Sequence, residues 1–208
     1  MARITSINAR IIHNSRGSKT IEVDVISDNQ YLGRTSAPSG ASVGKYEAVS
    51  FPENGPEQSL HILNENSKKF LEFESNDLKS IDETLKSIDK TSDYSKIGGA
   101  LAYAVTIASM ESASKAAGKQ LFELISEQNE YRFPIPIGNI LGGGAHAGPG
   151  TPDIQEILVA SIGAKTVRES IDMNLQVHKE LKKLILKDDP TFTNGLSLIH
   201  ISEPTRPY

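Results

Sequence analysis

One imidazole, one amide and one carboxylate stand close together in a stretch that is otherwise mostly glycine, alanine and proline. Residues 141–156 read LGGGAHAGPGTPDIQE, with His146 among Gly142, Gly143, Gly144, Gly148 and Gly150, and with Gln155 and Glu156 at the end. Glycine backbone can approach a ligand closely and take up positive φ. A histidine on such a loop, facing an amide and a carboxylate on the next strand, suits an anionic substrate. The same stretch also reads as a plain turn with a solvated His146. Both readings stand on these residues alone.

A second polar loop, residues 37–47, reads APSGASVGKYE and carries Ser39 and Ser42. It nearly matches a phosphate-binding loop, which needs four residues between its glycines and then Lys-Ser/Thr. Here Gly40 and Gly44 enclose only three, and Lys45 is followed by Tyr46. The nucleotide reading therefore fails. A flexible flap bearing two hydroxyls and an ordinary surface loop both remain open.

The elements that must position these loops follow from periodicity. Residues 4–12 and 20–26 read as strands, the second alternating Ile21, Val23 and Val25 with Glu22 and Asp24. Turn chemistry, Asn14-Ser15-Arg16-Gly17-Ser18, lies between them. A third strand is expected near residues 30–36, completing an antiparallel meander. Helices are expected over 56–73, 77–89, 97–117 and 121–128. The second carries Leu78, Ile81, Leu85 and Ile88 as one apolar stripe. The third is rich in small residues that allow close packing, and Gly118 ends it.

Residues 131–136, with paired prolines, read as a linker. Strands over 135–141 and 153–160 would then flank the glycine loop. A helix over 166–187 follows, with Val167, Ile171, Leu175, His178, Leu181 and Ile185 as its buried stripe. His178 is expected to be a hydrogen-bonded packing residue.

Composition narrows the function classes. The chain has 208 residues, is 38% hydrophobic, carries a net charge of −4 and has no cysteine. It can bury a core. No basic cluster points to nucleic acid or an acidic membrane. Thiolate metal sites and disulfides are excluded. No signal-peptide core opens the chain, and no apolar run approaches the roughly 18 residues a membrane span needs.

Taken together and in order, several motifs resemble the enolase family of glycolytic dehydratases. They are Asn14-Ser-Arg-Gly with Thr20-Ile-Glu-Val, Pro38-Ser-Gly-Ala-Ser-Val-Gly, Ile97-Gly-Gly-Ala, and Gly143-Gly-Ala-His-Ala-Gly running on to Gln155-Glu156. The segment Gly-Pro-Gly-Thr-Pro-Asp-Ile-Gln-Glu is archaeal in style. Asn14 departs from the family's usual Asp, which bears on a turn and on domain contacts.

The resemblance implies an α+β N-terminal domain (a three-stranded antiparallel meander plus helices, residues 1–130). After it comes the incomplete start of an enolase-type α/β barrel, two strands and a helix, over residues 131–195. A whole barrel takes about 250 residues. Residues 196–206, LSLIHISEPTR, look like a translated sequencing adapter. Residues 196–208 are therefore expected to be a foreign tail on a truncated chain.

The implied reaction is reversible dehydration of 2-phosphoglycerate to phosphoenolpyruvate. The proton removed lies next to a carboxylate, so the family pairs a lysine base with two Mg2+ ions per site that neutralise the developing charge. The resemblance assigns Ser42 to the second magnesium and His146 to the phosphate end of the substrate. It assigns Gln155 to hydrogen-bonding the substrate and Glu156 to the departing hydroxyl. It further implies a cytoplasmic protein with a small-molecule substrate and no nucleic-acid or membrane partner. Glu22 resembles a subunit-pairing position, so a homodimer or larger assembly is expected.

The proton donor, the base lysine and the first-magnesium carboxylates would lie beyond Gly195. The acids after Glu156 (Glu169, Asp172, Glu180, Asp188 and Asp189) sit on or beside a helix. These residues alone are thus expected to be inactive and prone to aggregate along unpaired strand edges. The rival reading is a non-catalytic binding or assembly module that keeps the N-terminal domain.

Overall fold

The computed structural model describes residues 2–40, 43–126, 128, 130–143, 154–188 and 190. Ser42, His146, the helix-ending Asp189 and the tail 196–208 lie outside the described residues. The chain divides into two compact units between residues 129 and 130. The first is the α+β domain. The second is the incomplete start of the barrel.

In the first unit, β1 (Ile4–His13), β2 (Lys19–Ser27) and β3 (Tyr31–Ser36) form an antiparallel meander in the order β1-β2-β3. Alternation sets its two faces. Ile21, Val23 and Val25 are fully buried on the inner face, while Glu22 and Asp24 face outward. Register sets Arg10 opposite Glu22 and Arg34 opposite Asp24. Arg34 Nε donates to Asp24 Oδ1 at 2.6 Å, and Arg10 Nη1 donates to Asp24 Oδ2 at 2.8 Å. These two guanidiniums, Arg34 first, hold the Asp24 carboxyl well below the usual carboxylate range against the opposing pull of burial.

Helices α1 (Pro56–Asn66), α2 (Leu78–Asp89), α3 (Gly99–Ala116) and α4 (Leu121–Ile125) complete this unit. The core joins the inner sheet face to Leu63, Phe70, Ile81, Leu85, Leu101, Val105 and Ala108. Small residues on α3 let it lie against β3. A Cβ on Gly33 would stand 1.8 Å from the Ala108 carbonyl oxygen, so the contact is backbone on backbone.

Helix boundaries correct the sequence reading in three places. The helix expected over 56–73 ends at Asn66. A 3-10 turn, Ser67–Phe70, follows, and Glu72 then takes φ 69°. The reason is long-range: Glu72 N–H donates to Ile4 O at 3.0 Å, and Ile4 N–H donates to Phe73 O at 2.9 Å. These residues pair with β1 and cannot continue the helix. The short helix expected to reach residue 128 stops at Ile125. Leu78, placed on the α2 stripe, is 41% exposed because it sits in the first turn, whereas Ile81, Leu85 and Ile88 are buried.

Asp77 caps α2, accepting from Ser80 N–H at 3.1 Å. Buried Asp89 organises the link to α3, accepting from the N–H groups of Thr91, Lys96 and Ile97. Gly118, at φ 63°, closes α3.

In the second unit, β4 (Ile137–Gly142) pairs antiparallel with β5 (Glu156–Ala160), and α5 (Val167–Asp188) packs on them. The buried residues of α5 are Ser170 and Asn174. This corrects the expected stripe: Val167, Ile171 and Leu175 are exposed, while His178, Leu181 and Ile185 are half-buried. The covered face is rotated toward residues 170 and 174 because Asn174 Nδ2 donates to Pro136 O at 3.0 Å and Ser161 Oγ donates to Asn174 Oδ1 at 2.5 Å. His178 packs as expected, but its Nε2 has no hydrogen-bond partner. Burial, with a smaller contribution from Lys182, pushes its imidazole below the ordinary value.

Candidate active site

The β4–β5 pair delivers both ends of the glycine loop to one place. Gly142 is in register with Glu156, and Gly143 N–H donates to Gln155 O at 2.8 Å. The ladder is irregular between Asn139 and Leu141. The loop thus leaves and rejoins a closed strand end, and its length does not loosen its base. Gln155 and Glu156 sit at that base, both exposed. An exposed carboxylate beside glycine backbone can accept a hydrogen bond or transfer a proton to a bound molecule.

The structure therefore brings Gln155 and Glu156 together with Gly142 and Gly143. It does not describe His146, which belongs to the loop between them, or Ser42 in the loop after β3. The convergence expected of Ser42, His146 and Glu156 falls outside the described residues.

The loop after β3 is described up to Gly40 and again from Val43. Arg16 Nη2 donates to Ser39 O at 2.9 Å and to Gly40 O at 2.7 Å. On the far side, Gly44 N–H donates to Glu47 Oε1 at 2.9 Å, and Glu47 N–H returns to Gly44 O at 3.2 Å. Lys45 and Tyr46 sit exposed on this turn. Sequence reasoning treated Arg16 only as part of a turn. A long cationic side chain on a rigid turn was the available signal.

Among the described residues, no group of three or more His, Asp or Glu side chains could hold a metal ion. No described helix is long and apolar enough to cross a membrane.

Comparison with known proteins covers nearly the whole chain. The model of the enolase N-terminal domain matches residues 4–125, and that of the enolase C-terminal TIM barrel domain matches residues 130–195. A protein named enolase from Methanosphaera stadtmanae is 40% identical over 193 residues, covering 92% of this chain and 46% of that protein. One from Methanothermobacter thermautotrophicus is 39% identical with the same coverage. One from Halorubrum lacusprofundi is 39% identical over 180 residues, covering 86% of this chain and 44% of that protein. The chain spans about half the length of the curated relatives it matches. With both domain models matched in order, one of them over more than half its length, the chain belongs to the enolase family.

Proposed function

We propose that the protein to which these residues belong dehydrates 2-phosphoglycerate reversibly to phosphoenolpyruvate. The observation that carries this reading is the ordered match of both enolase domains, with Gln155 and Glu156 at the closed base of the glycine loop. In this reading His146 binds the phosphate end of the substrate, best as imidazolium, with an ordinary pKa of about 6.5. Gln155 donates a hydrogen bond to the bound acid. Glu156 stands near the departing hydroxyl and assists its protonation.

Magnesium belongs to the proposal and would supply charge neutralisation at the substrate carboxylate. Ser42 is the hydroxyl this chain offers as a ligand, and a hard cation favours oxygen. The described residues hold no carboxylate set that fits a complete site, so no step is assigned to the metal. A cytoplasmic location and a homodimer or larger assembly belong to the same proposal. Glu22 is the pairing residue, and within one chain it already meets Arg10 at 2.5 Å.

The test compares two polypeptides: the 208-residue chain and the gene product read past Gly195. Each is assayed for phosphoenolpyruvate formation with and without Mg2+. The longer product is expected to turn over, and the chain as given is not, because residues after Glu156 supply no base lysine in a recognisable motif. A longer product with no magnesium-dependent turnover would overturn the reading. Turnover by the 208 residues alone would overturn their expected inactivity.

A further inference from the structure

We propose that Arg16 is a positioning residue, which fixes the stem from which the chain runs to Ser42; its catalytic meaning rests on the function proposed above. The β1–β2 turn that carries it is locked in several ways. Asn14 Oδ1 accepts from the N–H groups of Arg16 at 2.9 Å and Ser18 at 3.0 Å. Asn14 N–H donates to Ser18 O at 2.9 Å, and Gly17 N–H donates to Asn14 O at 3.0 Å. Gly17 takes φ 74°, which glycine adopts without strain. Arg16 thus leaves the turn in a preset direction.

Its guanidinium spans two consecutive carbonyls, Ser39 O and Gly40 O. A planar donor that holds two acceptors fixes direction as well as distance. The residue before this stem is tied down separately: Ala37 N–H donates to Ile21 O at 3.4 Å, and Thr20 Oγ1 donates to Ala37 O at 3.3 Å. Beyond the loop, Val49 N–H donates to Asp93 O at 2.8 Å. Among the described residues, the hydrogen bonds that reach Ser39 and Gly40 come from Arg16. Ser42 is two residues further on, so a displaced stem displaces the hydroxyl. Asn14 contributes through neutral acceptor geometry, where an aspartate would add charge beside the guanidinium.

The clamp is testable on the chain itself. Protease Lys-C cuts after lysine only, so Arg16 variants leave its sites unchanged. Arg16→Ala is expected to speed cleavage after Lys45 by about tenfold, the equivalent of two exposed charge-assisted hydrogen bonds. Arg16→Lys should recover part of the loss, because ammonium is a point donor. Cleavage after Lys79 on α2 serves as the control. Unchanged cleavage after Lys45, or an equal rise at Lys45 and Lys79, overturns the clamp.

In the gene product read past Gly195, Arg16→Ala should lower kcat and raise the Mg2+ half-saturation by about tenfold. The substrate KM should change less, and Arg16→Lys should be intermediate. A wild-type longer product without turnover sinks the functional reading. A rise in cleavage at Lys45 with kcat and Mg2+ dependence unchanged sinks the catalytic meaning of the clamp.

Discussion

Helices α3 and α5 are both long, yet their surroundings differ sharply. Over 18 residues α3 buries Ala100, Leu101, Ala104, Val105, Ala108 and others against the sheet. Over 22 residues the buried positions of α5 are two polar ones, Ser170 and Asn174. Its Ile171, Leu175 and Leu184 stand 45%, 46% and 63% exposed. Near them, Ile140, Met173, Val177, Leu181 and Leu184 line an open groove of about 470 Å3. An apolar stripe marks what a helix is able to bury; its neighbours decide what it does bury.

The largest expected contrast is between two truncations. Phe70→Ala, at a fully buried side chain, should cost the first unit about 3–5 kcal/mol. Leu175→Ala on α5 should cost about 0.5 kcal/mol or less. Urea unfolding of the 208-residue chain measures both, and equal losses would erase the distinction. Next comes Gly33→Ala, whose methyl would meet the Ala108 carbonyl and the Ser112 N–H. It should cost about 1–3 kcal/mol. A neutral result would mean α3 sits further from β3 than described.

The smallest effect is a pH dependence in the second unit. Burial lowers the His178 pKa from its ordinary 6.5, so the fold favours neutral imidazole. That contribution is present above the unfolded-state value and is lost as pH falls through the lower folded-state value. Amide exchange in α5 followed from pH 7.5 down to 5 should show progressive weakening, and His178→Gln should flatten it. An unchanged slope in the variant would assign the effect elsewhere.

Local signals were legible where local physics decides the outcome. Alternation along β2, the Asp77 cap and the Gly118 stop all follow from neighbouring residues. The Gln155–Glu156 pair at the edge of a glycine loop was visible for the same reason. Other features depend on distant partners. The end of α1 is set by residue 72 pairing with residue 4, a separation that no helical window contains. The covered face of α5 is set by Pro136 and Ser161. Asp89 looked like the end of a solvated helix but is buried as the acceptor for three backbone N–H groups. Arg16 was legible as a turn residue only, because its carbonyl partners lie 23 and 24 positions away.

One contact of α3 carries a consequence for how copies of this chain meet. Glu111 accepts from Arg34 N–H at 3.0 Å, Ser112 Oγ donates to Tyr31 O at 2.7 Å, and Lys115 Nζ donates to Leu32 O. The outer rim of the third strand is thereby occupied by side chains, and a foreign strand finds no backbone there to zip onto. Any pairing of two such domains must then use the charged outer face of the sheet, where salt and not β-pairing sets the grip. The two-stranded second unit has no such guard described on its rim, so clumping of this polypeptide begins there.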